Sequence, residues 1–302
     1  MDPLEGEGPP RHLVSVEEPF VQTALPSVDL LFIVDNTASM AQEQQALAEE
    51  FSTLTASLAE ENINWQLGVT TMDVSNENAG SLHGSPYVLT ANLDDVDTLF
   101  SAVVQVGVDS VAPEAGLAAA AVALGLVDAE EANAGFRRPN ASLHLVFVSD
   151  ADDQSDSWLG ADPVDAFLAI LEDEETQTGL PARASALVGD VPSGCVSDNG
   201  TAESGERYVA IAEATDGAVA SICAADFFDL LESVGDASIT YQSEFELRAT
   251  PVGGSLQVEI DSTRVSNWEY TGHSVLFSEP PAAGALIVAK YLIEIAEGPE
   301  DD

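Results

Sequence analysis

Two short stretches of oxygen-bearing side chains are candidates for metal chemistry. The first is Asp35-Asn36-Thr37-Ala38-Ser39, which offers one carboxylate and two hydroxyls on a tight turn, and the second contains Asp150. Carboxylate, hydroxyl and water oxygens are hard ligands that suit Mg2+, Ca2+ or Mn2+, and soft ligands are absent from both stretches. A site with few carboxylates leaves one position on the ion open. These residue types therefore predict a divalent-cation site that accepts an acidic group from a partner.

Both acids end apolar runs that are typical of strands buried on both faces of a parallel sheet, at residues 28–35 and 143–149. Further strand-like runs lie at 65–71, 184–188 and 218–222, and helical patterns lie at 96–104, 113–126, 163–174, 207–214 and 226–234. Just after the first strand, Leu47, Phe51, Leu54 and Leu58 form one stripe of an amphipathic helix. The alternation predicts an α/β domain, and in such domains ligands bind beyond the carboxyl ends of the strands.

Residues 28–39 resemble the metal-ion-dependent adhesion site of von Willebrand factor type A domains, whose first loop reads Asp-x-Ser-x-Ser. Here threonine replaces the first serine and keeps the hydroxyl. Asp150 matches the aspartate of the family's third loop. The resemblance covers about residues 26–236 and implies a Rossmann-like, mainly parallel sheet flanked by helices. It also implies a cation, Mg2+ or alternatively Ca2+ or Mn2+, bound by Asp35, Thr37, Ser39 and Asp150.

The second loop of this family usually donates a threonine, and here Val108 stands in that place. Asp109 or Ser110 would then have to supply the oxygen. We favour Ser110, because a less charged site leaves the metal more electrophilic towards a partner's carboxylate. Three further acids are candidates for the surroundings of the site: Asp73 as a neighbour of the ligands, and Asp152 and Asp153 as ligands of a second Ca2+ or as solvated loop residues.

The pattern changes after the α/β segment, which we bound at residues 26–240. Residues 243–296 alternate apolar and polar side chains between Gly-Gly, Ser-Asn and Pro-Pro punctuation, which predicts a small β-sandwich-like module. Residues 1–25 are interpreted as an N-terminal extension or tether, and residues 297–302 as an acidic tail.

The charge balance excludes some partners. The chain has 53 acidic and 8 basic residues among its 302, giving a formal net charge of -45. Such a surface repels nucleic acid and anionic membranes, and it suits a high-salt environment in which counterions screen the self-repulsion. No apolar run approaches the roughly 20 residues needed to cross a bilayer, so we expect no direct membrane insertion.

Cys195 and Cys223 are the two cysteines, and the residues alone leave open whether they are bridged or are two buried thiols. The resemblance is closest to bacterial surface lipoproteins, which implies a disulfide. We therefore expect an extracellular, cell-surface or periplasmic location. Because the first residues lack the apolar stretch of a secretory signal, we expect that a signal was removed, the alternative being a cytosolic protein.

The function that we expect is metal-dependent adhesion or assembly, in which the cation accepts a carboxylate from a protein or glycan. A structural alternative is an acidic spacer of a cell-surface assembly whose metal serves stability alone. An enzyme is the remote alternative, because haloacid dehalogenase-like phosphatases also begin with an apolar strand that ends in aspartate. Those enzymes usually carry a second aspartate where this chain has Thr37, and only Arg183 and Arg207 could supply their phosphate-binding cation. We therefore expect no catalytic residues.

Overall fold

The structure is a computed structural model that describes residues 11–126, 131–197, 200–225 and 227–296. It divides into two compact units, one formed by residues 25–240 and the other by the described parts of residues 1–24 and 241–302. The expected acidic tail and the first ten residues of the expected tether lie outside the described residues. Within the described residues, no helix is both long and apolar enough to cross a membrane.

The strands are numbered in chain order: β1 (Arg11–Val21), β2 (Ser27–Val34), β3 (Asn64–Thr71), β4 (Leu89–Thr90), β5 (Ser142–Val148), β6 (Ala182–Val188), β7 (Cys195–Ser197), β8 (Gly200–Ala202), β9 (Val219–Ser221), β10 (Glu244–Glu246), β11 (Gln257–Ile260), β12 (Thr263–Val265), β13 (Trp268–Tyr270), β14 (Ser274–Phe277) and β15 (Leu286–Ala296). The helices are α1 (Ala41–Glu49), α2 (Phe51–Glu60), α3 (Val96–Val104), α4 (Gly116–Gly125), α5 (Asp156–Leu159), α6 (Pro163–Thr178), α7 (Glu206–Ala214) and α8 (Phe228–Ser238).

Residues 25–240 form a six-stranded sheet in the order β4-β3-β2-β5-β6-β9, flanked by helices. All neighbouring strands are parallel except the edge strand β4, which pairs antiparallel with β3. Every residue of β2 and β5 is buried, as the apolar runs predict for central strands. The predicted α/β class with a mainly parallel sheet is therefore confirmed. The predicted helical stripe is split at Glu50 into α1 and α2, and all four of its apolar residues are buried.

The other unit contains two antiparallel sheets, ordered β1-β15-β11-β12 and β10-β14-β13. Their apolar side chains share one core, to which Phe245 and Val275 contribute from one sheet and Val258 and Ile287 from the other. This arrangement agrees with the predicted β-rich module.

The structure differs from the expected tether over part of its length. Residues 11–21 form β1, which pairs with β15 along all 11 positions. The side chains of β1 that face the core include the buried Glu18. Because Glu18 is acidic, the sequence of β1 does not show a simple alternation of apolar and polar residues. Glu18 accepts hydrogen bonds from Tyr291 Oη at 2.8 Å and from the backbone N–H of Arg248. A buried carboxylate is tolerated there because these donors satisfy it.

Candidate functional site

The parallel register of β2 and β5 brings the two candidate loops together. Val34 lies opposite Val148, so Asp35 and Ser149 follow the carboxyl ends of adjacent strands. The backbone N–H of Asp35 continues the ladder by donating to the carbonyl of Val148 at 2.9 Å. The sheet therefore places Asp35 and Asp150 at the same edge.

The carboxylate of Asp35 is fully buried and is fixed by hydroxyl and backbone donors. Oδ1 accepts hydrogen bonds from the N–H and the hydroxyl of Thr37, both at 2.8 Å. Oδ2 accepts the hydroxyl of Ser149, also at 2.8 Å. The hydroxyls of Thr37 and Ser39 lie 3.3 Å apart, so three of the predicted ligands converge on one point of the first loop.

Asp150 completes this cluster from the third loop and is half-buried. Burial raises the pKa of Asp150, a hydrogen bond from Ser39 opposes the rise, and the negative charge of Asp35 adds to it. Burial likewise raises the pKa of Glu43 and of Glu114, and the charges of Asp35 and Asp150 reinforce both shifts. The edge therefore concentrates negative charge that a cation would neutralise.

The second loop approaches the first through Ser110. Its N–H donates to the carbonyl of Asn36 at 3.1 Å, and Ser110 forms an isolated parallel bridge with Thr37. The Ser110 hydroxyl lies 3.4 Å from Oδ2 of Asp73, whereas Asp109 is exposed to solvent. Ser110 and Asp109 were the two candidates for the oxygen that the second loop was expected to donate. Ser110 is held beside the first loop, and Asp109 is exposed.

Asp73 lies at the end of the neighbouring strand β3 and is itself satisfied. Burial acts to raise its pKa, but hydrogen bonds from the hydroxyl and backbone of Ser75 outweigh this effect and lower it. Those bonds measure 2.6 and 2.8 Å. Asp73 therefore contacts the second loop through Ser110.

The structure gives Asp152 and Asp153 local partners. Asp153 is buried, accepts the N–H of Leu117 at the start of α4 at 3.0 Å, and accepts the hydroxyl of Ser155. Asp152 accepts the N–H of Arg207 at 3.0 Å. Both acids connect the third loop to neighbouring helices. Asp153 is therefore not a solvated loop residue.

Two residues that support Asp35 were not predicted. Ser149 donates a hydrogen bond to Oδ2 of Asp35. Its position directly before Asp150, at the end of the predicted strand-like run 143–149, was a usable signal. Gln44, on α1, donates through Nε2 to the carbonyls of Asp35 and Gly107 at 2.9 and 2.8 Å, which joins the first loop to the second. No sequence signal distinguishes Gln44 from the other glutamines of that helix.

A hairpin of β7 and β8 lies beside the same loops. The N–H of Glu203 donates to the carbonyl of Asp150 at 2.8 Å, and a β-carbon placed on Gly200 would lie 3.1 Å from Oε1 of Glu43. The predicted disulfide between Cys195 and Cys223 is confirmed, with their Cα atoms 6.1 Å apart. It joins the hairpin to the segment that follows β9.

The donor set fits a hydroxyl-rich cation site rather than a carboxylate cage. In the described part of the chain, no group of three or more His, Cys, Asp or Glu side chains is placed to hold a metal ion. The cluster contains two carboxylates and the hydroxyls of Thr37, Ser39 and Ser110, so water or a partner would complete an octahedron. The two arginines of the phosphatase alternative have other contacts: Arg207 binds Asp156 at 2.7 Å, and Arg183 donates to the carbonyl of Ala237.

Comparisons with known proteins give structural neighbours only. No protein-family model and no curated protein matches the chain. Proximal thread matrix protein 1 from the mussel byssus aligns at 15% identity and a TM-score of 0.42, covering 75% of this chain and 50% of that protein. The pilus adhesin SpaC from Lactobacillus rhamnosus GG aligns at 12% identity and a TM-score of 0.39, covering 93% of this chain and 40% of the adhesin. Likenesses of this degree identify neither family nor partner.

Proposed function

We propose that residues 25–240 form a metal-dependent binding domain of the von Willebrand factor A type. In this proposal Asp35, Thr37, Ser39 and Asp150 hold a divalent cation, and Ser110 serves as the ligand from the second loop. The observation that carries the proposal is the convergence of three loops on Asp35, whose carboxylate is oriented by Thr37 and Ser149 at 2.8 Å.

The ligand set explains why such a site would bind a partner. Two carboxylates balance the two charges of the ion, and the remaining protein ligands are neutral hydroxyls. An ion of this kind keeps exchangeable water, and a carboxylate from a partner can replace that water. We propose Mg2+ as the resident ion, with Mn2+ and Ca2+ as alternatives, and a protein or glycan with a carboxylate as the partner.

The proposed setting is outside the cytoplasm, at a cell surface or in the periplasm. The Cys195–Cys223 disulfide supports this setting, because disulfides persist in oxidising compartments. The two named neighbours, a byssus matrix protein and a pilus adhesin, are too distant to add weight. We propose a binding activity and no catalysis.

The test is a calorimetric titration of the full chain with Mg2+ and Mn2+. Asp35→Ala should abolish measurable binding, and Ser39→Ala should weaken it strongly because it removes an exposed hydroxyl without touching the core. Asp173→Ala is the matched control, since Asp173 is an exposed acid on α6. Equal affinity in the wild type, Asp35→Ala and Ser39→Ala would refute the site.

The same titration separates binding from the structural alternative of an acidic spacer. Coupling between two ligands is reciprocal, so an acidic ligand that completes the coordination must raise the affinity for the metal. A metal affinity that no carboxylate ligand changes would favour a cation used for stability alone.

A further inference from the structure

The strand β1 has a long edge that no other strand covers. Its 11 residues pair with β15 on one side, and among the described residues no strand pairs with it on the other side. Each of the other edge strands in the described sheets has only two or three residues. Unpaired N–H and C=O groups on an edge can pair with another chain, and proteins often limit this by keeping edge strands short. A free edge of this length therefore indicates a place where another strand can pair.

Two hydrogen bonds show which backbone groups of β1 face outwards. Just past the strand, Gln22 donates its N–H to the carbonyl of Ala285 at 2.9 Å and accepts the N–H of Gly284 at 3.1 Å. Both partners directly precede β15, so the backbone groups of Gln22 point to the β15 side. The direction of these groups alternates from residue to residue in an antiparallel pair of strands. The odd-numbered residues of β1 therefore point their N–H and C=O away from β15.

The outward edge is open to a further strand only over residues 11–17. Pro19 is odd-numbered and has no N–H to donate, and the inward-pointing charge of Glu18 beside it also disfavours another strand. Beyond β1, Gln242 donates to the carbonyl of Thr23 at 3.4 Å, so this part of the edge is already used. Neither obstacle affects residues 11–17, which leaves a continuous free segment.

The charges of this segment favour a second copy of the chain as its partner. Arg11 lies at one end and Glu17 at the other, and both are exposed on the same face of the strand. When two such segments pair antiparallel around Val14, each Arg11 lies opposite Glu17 of the other copy, and such cross-strand pairs are stabilising. Within its own chain Arg11 binds Glu294 at 3.1 Å through one nitrogen, which leaves further donors on the guanidinium.

The unit that contains β1 is also the less charged part of the chain. Residues 11–24 and 241–296 contain nine acids and four lysines or arginines, whereas residues 25–240 contain 37 acids and four arginines. Repulsion between two copies is therefore weakest when they meet through this unit. Val14 is partly exposed, so pairing around it would also cover apolar surface.

We propose that the protein forms a two-fold symmetric dimer through residues 11–17 of β1, which joins the four-stranded sheets of two copies into one sheet. Val14 lies on the axis and faces Val14 of the second copy, and the outward backbone groups of the odd-numbered residues form the hydrogen bonds. Because so short a segment makes a small interface, the dimer dissociates on dilution. This inference goes beyond the proposed function, does not require the cation, and gives each dimer two of the proposed binding sites.

Sedimentation velocity of the full chain at several concentrations, from about 0.15 to about 1 M NaCl, measures the association. A monomer–dimer equilibrium should appear, should strengthen with salt because counterions screen the net charge of -45, and should persist in a chelator. Ser15→Pro removes one outward N–H from each copy and should weaken the dimer about thirtyfold. Val21→Pro is the matched control, because Val21 is odd-numbered but lies beyond residues 11–17, and its dimer should be unchanged.

Two further sets of variants test the register. Arg11→Glu and Glu17→Arg should each weaken the dimer severalfold, because like charges then face each other, and the double variant should restore it. Val14→Cys should give a disulfide-linked dimer under mild oxidation, since the two copies of this residue face each other and the described chain has no free cysteine. Leu13→Cys is the control: Leu13 is 56% exposed, but the register places its two copies too far apart for a bridge.

Each contrary result has a distinct meaning. A monomer at every concentration and salt would overturn the dimer, whether the edge is covered within one chain or stays unpaired. A dimer that Ser15→Pro leaves unchanged would place the interface elsewhere and would also overturn the inference. Equal cross-linking of Leu13→Cys and Val14→Cys, or no recovery in the double charge variant, would contradict the register. An intact dimer of a protein that binds no Mg2+ would support this inference while contradicting the proposed function.

Discussion

His144 on β5 is buried between two serine hydroxyls in an arrangement that fits only its neutral form. Its Nδ1 lies 2.7 Å from Ser238 Oγ, and its Nε2 lies 2.8 Å from Ser185 Oγ. Ser238 donates its own hydrogen to the carbonyl of Val234, so its oxygen accepts the proton on Nδ1. Ser185 accepts the N–H of Ala218 and keeps its hydroxyl hydrogen for Nε2. A second ring proton would face that hydrogen.

Protonation of His144 is therefore coupled to unfolding. Burial, with a smaller effect from the charge of Arg183, lowers the pKa of His144 from 6.5 to about 3. The unfolded chain takes up the proton first as the pH falls, so stability is fully present above the unfolded pKa and is lost below it. Between about pH 7.5 and about pH 5, this one group should cost about 2 kcal/mol of unfolding free energy.

The assay is urea unfolding of the wild type, His144→Gln and His273→Gln at both pH values. His144→Gln should remove about 2 kcal/mol of the pH dependence, whatever it does to stability at neutral pH. His273→Gln is the matched control for replacing a histidine by glutamine, at a side chain that is 68% exposed. Carboxylates contribute equally to all three proteins and cancel in the comparison. If His144→Gln lost as much stability on acidification as the wild type, the burial argument would be wrong.

Three further expectations concern the metal ligands, the disulfide and the charge. Ser110→Ala should weaken Mg2+ binding by at least several-fold while Asp109→Asn is nearly silent in the same titration, and the reverse order would assign the second loop to Asp109. Replacing Cys195 and Cys223 by serine should cost about 3.6 kcal/mol in urea unfolding, because the bridge closes a loop with a sequence separation of 28. An unchanged midpoint would show that the bridge contributes little. The melting temperature should rise by several degrees from low to molar NaCl, and a flat profile would count against self-repulsion as a limit on stability.

The central sheet was predictable because its strands are buried on both faces. Such strands read as continuous apolar runs, and the acid that ends each run then marks the carboxyl edge. The helical stripe was less well predicted, since the spacing of Leu47 and Phe51 does not show that the chain breaks between them at Glu50. The hairpin of β7 and β8 was missed because strands of three residues are too short to show alternation.

Long-range contacts explain what local patterns could not give. Glu18 reads as a solvent-facing residue, yet Tyr291 and the backbone of Arg248 satisfy it in a core formed by the other end of the chain. Asp153 reads as a loop acid, yet it caps α4 through the N–H of Leu117. In each case the decisive partner is distant in sequence, so no window along the chain contains the signal.

The distribution of the few basic residues explains why negative charge remains at the proposed site. The chain has eight positive side chains and 53 acids. In the described residues, the ion pairs of these positive side chains involve neither Asp35 nor Asp150. The buried Asp29 of β2, for example, is neutralised by Arg137 and Arg138 at 3.0 and 2.6 Å.

Asp35 and Asp150 receive only hydroxyl and backbone donors. An arginine at this edge would relieve the repulsion between the two carboxylates permanently, and it would also fill the place of a cation. Neutral donors orient the carboxylates without cancelling their charge. The edge therefore keeps an unpaired negative potential, and a divalent ion bound there would relieve the repulsion while leaving its open coordination position to a partner.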